Sequence, residues 1–333
     1  MSLLTLSRNT HGDCDPDDDL VSPQHNRGTV ESSNHGCSPQ RAEIGTSEAS
    51  NPEEIRAAEK MTRQLATSHY ENFLIASVLL PRQMRQPFYN VYAYCRTADD
   101  AADESASPEE ALRKLDRLEQ ELDRAFAGCP NDPLFVALRK TVDEFDLEKQ
   151  PFADLLDAFR QDQHKTRYAS FDELLDYCRR SANPVGRIVL QLGDSLDDRN
   201  IEQSDMICSG LQLANFWQDV ARDFAIGRVY LPEDSRNQLG VDEQMLAGTS
   251  TPDALRELLA SECERAESML REGLPLADRV APWLRRDVRL FAHGGLETLA
   301  AIRRIKYDVL RRRPTVSKWR QAGLVAKAMI GRL

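Results

Sequence analysis

The chain has 333 residues and a formal net charge of −11, with 54 acidic and 43 basic side chains. This acidic balance does not favour a nucleic-acid partner. The sequence has no uncharged apolar stretch of about 18 residues, so we expect no membrane-spanning helix. The seven cysteines are scattered without a CxxC pair, which indicates reduced thiols in a cytoplasmic protein.

Residues 1–50 have few large apolar side chains and many Ser, Asn, Gly and Asp residues, which predicts a disordered tail. From residue 52 onward, apolar residues recur with helical spacing, and Pro or Gly separates successive runs. The sequence therefore predicts one all-α domain over residues 52–333. The predicted helices are 52–67, 69–79, 82–104, 108–127, 133–147, 151–163, 171–193, 203–223, 251–273, 283–313 and 315–331.

The predicted helix 82–104 ends in a cluster of aspartates, Asp99, Asp100 and Asp103. Residues four apart lie on one helix face, so Asp99 and Asp103 should project together. Like charges at this spacing are destabilising unless a cation lies between them. Mg²⁺ is the expected cation, because it binds one or two carboxylates and completes its shell with water and phosphate oxygens. Arg96 is either an ion-pair partner of these acids or a bidentate phosphate ligand.

The predicted helix 171–193 contains Tyr177 and the dipeptide Asn183-Pro184. A proline inside a helix removes a backbone donor and kinks or breaks the helix. A kinked helix with small residues would line a cavity for an apolar ligand, and the alternative is a loop between two short helices. Tyr177 is equally consistent with a core tyrosine or a site residue.

The predicted helix 203–223 places Asn215, Asp219 and Asp223 on one face by the same spacing of four. If this face is turned toward the first aspartate cluster in a helical bundle, the two could hold a diphosphate through Mg²⁺. Arg228 and Tyr230 follow directly. They allow the same two interpretations as Arg96, structural partners or substrate ligands.

The C-terminal residues 303–333 carry ten Lys or Arg side chains and one acid, Asp308. The predicted helix 315–331 places apolar residues near one side with basic residues around them. Such a helix could lie on an anionic membrane surface as a peripheral contact, or it could dock on the acidic body of the protein itself.

Residues 68–310 resemble the squalene/phytoene synthases, which join two C15 or C20 prenyl diphosphates head to head. The resemblance implies an isoprenoid-synthase-type helical bundle with a central cavity. It rests on several motifs in the expected order: Tyr92–Asp103, Tyr177–Cys178, Ala182–Gly186, Leu211–Asn215 with Asp219 and Asp223, and Gly227–Pro232.

Three departures from the usual family pattern resemble the hydroxysqualene synthases of bacterial hopanoid pathways. They are Asn183-Pro184 within Ala182–Gly186, Gln218 where an arginine is usual, and residues 69–73 in place of a serine-containing segment. The resemblance implies ionisation of presqualene diphosphate and capture of the carbocation by water. Presqualene diphosphate synthase and hydroxysqualene reductase would then be pathway partners. The alternative is head-to-head condensation, for example of farnesyl diphosphate, and the use of NADPH stays open.

The same resemblance assigns roles to individual residues. Arg96, Gln212 and Arg228 would bind the substrate, and Asn183 would position the attacking water. The rings of Tyr92, Tyr177, Tyr230 and Tyr307 would face the carbocation. Mg²⁺ would be held by Asp99, Asp103, Asn215, Asp219 and Asp223. Two rival classes have less support: a di-iron bundle needs Glu-x-x-His pairs, which are absent near both clusters, and a non-catalytic adaptor would not need the acidic ligands.

Overall fold

A computed structural model describes residues 51–68 and 80–333. All regular elements in these ranges are helical, which confirms the all-α prediction. The predicted disordered tail and the predicted helix 69–79 lie outside the described residues. The helices are α1 (Pro52–Ser68), α2 (Arg85–Asp103), α3 (Pro108–Phe126), α4 (Pro133–Phe145), α5 (Gln150–Gln161), α6 (Phe171–Ser181), α7 (Asn183–Leu192), α8 (Asp198–Gln218), α9 (Val220–Ala225), α10 (Glu233–Gln238), α11 (Glu243–Leu246), α12 (Asp253–Gly273), α13 (Arg285–Arg304) and α14 (Lys318–Met329), with 3₁₀ turns at Arg82–Met84 and Leu274–Asp278.

Several helices begin at side chains that accept a hydrogen bond from the first turn. Ser107 accepts from the Glu110 amide at 3.3 Å, and Asp132 accepts from the Leu134 amide at 2.8 Å. Ser170 and Asp197 cap α6 and α8 in the same way. These bonds satisfy backbone donors that lack a partner within the helix, so the local sequence fixes where each helix starts.

Three of the long predicted helices are interrupted. Residues 171–193 form two helices separated by Ala182, whose φ of −125° is not helical, so the alternative of two short helices is correct and the single kinked helix is wrong. The run 203–223 is broken at Asp219 (φ −107°, ψ 15°). Helix α13 ends at Arg304 rather than at residue 313, because Lys306 and Tyr307 adopt left-handed conformations with φ of 53° and 58°.

The buried apolar side chains form two main groups. One lies among α2, α3, α4 and α5, and the other among α6, α8, α12 and α13. Trp283 packs against both groups. The first aspartate cluster is carried by the first group of helices, and the second cluster by α8 and α9 in the other group.

Helix α8 packs against its neighbours so closely at four glycines that a larger side chain would not fit there. A Cβ atom added at Gly186 of α7 would lie 2.3 Å from Ser204 Oγ, and one at Gly273 of α12 would lie 2.5 Å from Ile207 Cγ1. An added Cβ at Gly210 of α8 or at Gly295 of α13 would come within 2.9 Å of a leucine side chain. Close contact with three helices therefore fixes the position of α8 and of the aspartate that follows it.

The cysteines within the described ranges are all free thiols, as predicted. Cys95, Cys178, Cys208 and Cys263 are buried, and Cys129 is exposed. Burial raises the pKa of the Cys95 thiol to about 12, which suits a small core residue. Among the described helices, none is both long and apolar enough to cross a membrane.

Candidate active site

The first aspartate cluster has its countercharge on its own helix. Asp99 is buried, with 1% of its surface exposed. Arg96 Nη2 lies 2.5 Å from Asp100 Oδ1, and Arg96 Nη1 lies 3.5 Å from Asp99 Oδ2. Burial raises the pKa of Asp100, and the charge of Arg96 opposes this effect. Arg96 is thus an ion-pair partner of the cluster, and its role as a phosphate ligand stays a prediction.

The second cluster lies at the bend between α8 and α9. Asp219 and Asp223 are buried, with Asp223 only 3% exposed. Burial, together with the charge of Asp219, raises the pKa of Asp223 to about 8. Asp223 Oδ2 is buried and has no hydrogen-bond partner among the residues that the structure describes. A carboxylate in this position favours either a proton or a bound cation.

Arg228 joins the two clusters. Its backbone amide donates to the Asp223 carbonyl at 2.8 Å, and its Nη2 lies 3.5 Å from Asp103 Oδ1. Burial lowers the Arg228 pKa, but Tyr230, Asp162 and Asp103 raise it above its usual value, so the guanidinium keeps its charge. The Arg228 guanidinium therefore supports the prediction that the two aspartate clusters lie near each other.

The donor set fits Mg²⁺ in its chemistry. Asp99 and Asp103 on α2, and Asn215, Asp219 and Asp223 near the α8–α9 bend, offer only oxygen ligands, which are the ligands of a hard cation. In the described part of the chain, no three His, Cys, Asp or Glu side chains lie close enough to hold a metal on their own. Mg²⁺ needs only one or two carboxylates when substrate phosphates and water supply the rest. Its binding here stays a prediction.

A wall of aromatic rings lies beside the second cluster. The rings of Phe216 and Tyr230 are stacked with centroids 3.8 Å apart, and Tyr177 lies 6.1 Å from Tyr230. The Tyr177 hydroxyl donates to Asp162 Oδ2 at 2.8 Å, and burial raises the pKa of Asp162. A small cavity is lined by Phe216, Asp223, Arg228, Tyr230, Leu231 and neighbouring apolar residues.

The remaining predicted residues occupy different surroundings. Tyr92 is buried and packs with Ala66 of α1, and Gln212 is buried within α8. The Asn183 side-chain oxygen accepts a hydrogen bond from Ser209 Oγ at 2.9 Å, so it ties α7 to α8. Tyr307 lies in the left-handed turn after α13. The placement of Tyr307 on a helix was therefore wrong, and the roles of all four residues stay predictions.

The sequence analysis missed two side chains that contact the predicted site, Asp162 and Arg313. Arg313 Nε lies 2.5 Å from Asp219 Oδ1, and Arg313 Nη2 lies 2.9 Å from Asp219 Oδ2. One signal was available for Arg313, which precedes Pro314. A residue before proline avoids helical geometry, so Arg313 is expected to lie outside the helix. No sequence pattern singles out Asp162.

Comparison with known proteins gives a consistent result. The profile of the squalene/phytoene synthase family matches residues 66–320. A phytoene synthase from Arthrospira platensis is 32% identical over 279 residues, covering 79% of this chain and 89% of the relative. A hydroxysqualene synthase from Rhodopseudomonas palustris is 37% identical over 227 residues, covering 67% of this chain and 74% of the relative.

Solved structures agree with the sequence relatives. The crystal structure of the squalene synthase HpnC from Alicyclobacillus acidocaldarius has a TM-score of 0.74 at 42% identity, covering 78% of this chain and 97% of that protein. A dehydrosqualene synthase solved with a ligand has a TM-score of 0.76 at 26% identity, covering 84% and 98% of the two chains. The family profile and the relatives lead to one conclusion: this chain belongs to the squalene/phytoene synthase family.

Proposed function

We propose that the protein ionises presqualene diphosphate with Mg²⁺ bound and captures the carbocation with water, releasing hydroxysqualene and diphosphate. The observation that carries this proposal is the pair of aspartate clusters joined by Arg228 beside an aromatic-lined cavity. The subgroup is supported by two relatives named hydroxysqualene synthase, from Rhodopseudomonas palustris and Sinorhizobium fredii, at 37% and 36% identity.

Ionisation breaks the bond between carbon and the diphosphate oxygen, and the electron pair leaves with the diphosphate. When bound, Mg²⁺ supplies Lewis-acid stabilisation of that leaving charge. Arg228 and Arg96 would add charge-assisted hydrogen bonds to the same group. The metal would be held by Asp99, Asp103, Asn215, Asp219 and Asp223.

The carbocation that remains needs a dry pocket with electron-rich faces. The ring of Tyr230 lines the cavity, and the Tyr177 ring lies 6.1 Å from the Tyr230 ring. A ring that faces the cation would contribute about 0.5–2 kcal/mol through cation–π attraction. Asp162 holds Tyr177 in place through the hydroxyl bond. Water then forms the new carbon–oxygen bond and passes its proton to the released diphosphate. Asn183 would orient this water, and Asn183→Gly should change the yield of the alcohol.

A second candidate is head-to-head condensation of two prenyl diphosphates. It is favoured by the coverage of the phytoene synthase relatives, since those from Arthrospira platensis and Synechococcus elongatus match 79% and 80% of this chain. The same acidic clusters and arginines would serve it, because condensation also begins with loss of diphosphate.

Product analysis distinguishes the two. The purified protein is incubated with Mg²⁺ and presqualene diphosphate, without NADPH, and the C30 product is identified by mass spectrometry. Parallel reactions contain farnesyl or geranylgeranyl diphosphate. Hydroxysqualene from the first reaction would support the proposal. No turnover there, with a condensed product from a parallel reaction, would contradict it in favour of the second candidate.

We also propose that α14 rests on an anionic membrane surface on the cytoplasmic side, where a C30 product would partition. Trp319 is 88% exposed and Ile330 is 64% exposed, and they share the outward helix face while Leu324 and Ala328 lie on the opposite side. Lys318 and Lys327 flank this face, whereas Arg320 Nη1 lies 3.3 Å from Glu297 Oε2 of α13. Trp319→Ser should reduce binding to vesicles with anionic lipid, and equal binding to neutral vesicles would contradict the charge-based explanation.

A further inference from the structure

We propose that Gln218 is a positioning residue that holds the Arg313 guanidinium on Asp219, so that this guanidinium and a metal ion compete for one carboxylate. The inference rests on the proposed Mg²⁺ site and adds two residues to it. It also gives a physical role to Gln218, one of the positions where the chain departs from the usual family pattern.

Gln218 uses both ends of its amide. The residue is 6% exposed, and its Nε2 donates to the Pro314 carbonyl at 2.7 Å. Its Oε1 accepts from Arg313 Nη2 at 3.2 Å. Both partners belong to the segment after α13, more than 90 residues away in the chain. An amide supplies a donor and an acceptor in one group, whereas an arginine at this position would supply donors only and would repel Arg313.

Arg313 occupies both oxygens of Asp219. Its Nε and Nη2 lie 2.5 and 2.9 Å from Asp219 Oδ1 and Oδ2, a bidentate pairing that is the strong form of this contact. Arg222 is a weaker neighbour, since its Nη1 lies 3.8 Å from Asp219 Oδ1 and its side chain is 44% exposed. Each oxygen keeps a second lone pair, but the guanidinium charge beside both oxygens opposes a second cation, so a metal ion binds Asp219 more tightly when Arg313 moves away.

The chain around Arg313 permits this movement. Residues 305–317 contain no helix, and the nearest helices are α13 and α14. Moving the guanidinium therefore breaks no helical hydrogen bond. The bond from Gln218 to the Pro314 carbonyl does not involve Asp219, so it can persist while the guanidinium turns away. The displaced positive charge then stays next to the site in which the negative charge of the diphosphate develops.

Metal binding to the substrate-free, full-length protein tests the inference without reference to turnover. Mg²⁺ is titrated by isothermal calorimetry into the wild type, Gln218→Leu and Arg313→Gln. Both variants should bind Mg²⁺ more tightly, by roughly fivefold or more, because the competing cation is released or removed. General structural damage would weaken binding instead. Arg222→Gln is the matched control and should stay within about twofold of the wild type.

Unchanged or weaker Mg²⁺ affinity in both folded variants would overturn the inference while leaving the proposed metal site in place. Absence of Mg²⁺ binding in the wild type and in every variant would overturn the inference and the proposed metal site together. If Arg313→Gln fails to fold, Arg313→Lys replaces it. A lysine keeps the charge but cannot pair with both oxygens at once, so its Mg²⁺ affinity should still exceed that of the wild type.

Discussion

The two aspartate clusters balance their charge in different ways. In the cluster on α2, Asp99 and Asp100 are paired within one helix, because Arg96 lies three and four residues before them, and only Asp103 has a distant partner, Arg228. The cluster at the α8–α9 bend receives Arg313 from 94 residues away, and the same bend leaves Asp223 with a raised pKa. The charge balance of the first cluster thus follows mainly from local sequence. The charge balance of the second depends on the whole fold, and there a metal ion can replace an arginine.

The largest effect should follow removal of the buried Asp223 carboxylate. Asp223→Asn should lower turnover of presqualene diphosphate by roughly 100-fold or more, since it removes an anionic ligand from the proposed Mg²⁺ site. The matched control is Asp287→Asn, which neutralises an equally buried carboxyl on α13. Steady-state kinetics of both variants measure the difference. A loss below tenfold for Asp223→Asn would show that this carboxylate is not a metal ligand.

Breaking the link between the clusters should have the next largest effect. Arg228→Gln removes the cation that lies near Asp103 and Asp223, and we expect kcat/KM to fall by about 10- to 100-fold, the size of one or two charge-assisted hydrogen bonds. Arg160→Gln is the control, because Arg160 pairs with Asp116 and Glu119 on α3. Equal losses in both variants would indicate a general loss of stability instead.

Stability as a function of pH tests the raised pKa directly. The Asp223 pKa of about 8 lies above its ordinary value of 3.8, so the folded protein binds more protons than the unfolded chain between these values. The protonated Asp223 carboxyl contributes its full share of the free energy of unfolding below about pH 4. This contribution is lost as the pH rises through 8. Without metal, Asp223→Asn should therefore raise the Tm relative to the wild type at pH 8 more than at pH 5, by about 2–4 °C.

Mg²⁺ separates this effect from ordinary burial. Adding Mg²⁺ at pH 8 should stabilise the wild type, because the metal binds the folded state, and should remove the advantage of Asp223→Asn. Burial also raises the pKa of Asp287 to about 7, so Asp287→Asn should show a similar pH dependence. Its advantage should not respond to Mg²⁺. A Tm difference for Asp223→Asn that is flat with pH would contradict the assigned pKa.

The smallest effect should come from the arginine on the same helix as the first cluster. Arg96→Gln removes ion pairs to Asp100 and Glu104, which are partly or largely exposed. Pairs of this kind contribute about 0–1 kcal/mol, so the free energy of unfolding should change by no more than that. Urea denaturation measures it. A loss well above 1 kcal/mol would mean that Arg96 supports the buried Asp99 more strongly than its 3.5 Å distance suggests.

The sequence was sufficient for the features that follow from helical spacing. The all-α class derives from apolar periodicity, and the same periodicity placed Asp99 and Asp103 on one helix. The approach of the second cluster to these two carboxylates stays a prediction. The helix breaks were harder to predict. Asp219 carries no Pro or Gly signal, and the end of α13 depends on left-handed residues at Lys306 and Tyr307 that lack the usual glycine.

The missed side chains are those that tertiary structure alone brings to the site. Arg313 stands in a run of basic residues just before the predicted helix 315–331, and no partner for it is predicted from the sequence. Only the turn after α13 returns it to Asp219. Asp162 lies in a polar stretch, and packing against Tyr177 and its neighbours buries it. Neither environment has a period or spacing that a single sequence displays.

The glycines around α8 have a consequence for how this protein tolerates change over evolutionary time. Gly186, Gly210, Gly273 and Gly295 each face atoms that an added methyl group would meet at 2.9 Å or less. In a saturation mutagenesis screen, these positions should therefore be depleted of substitutions as strongly as the aspartates, although none of them carries a chemical group. Intolerance to substitution would then mark two different properties around α8, close packing at the glycines and chemistry at the aspartates. Alanine variants separate the two properties. A variant that folds but does not turn over substrate has lost a chemical group, whereas a variant that does not fold has lost packing space.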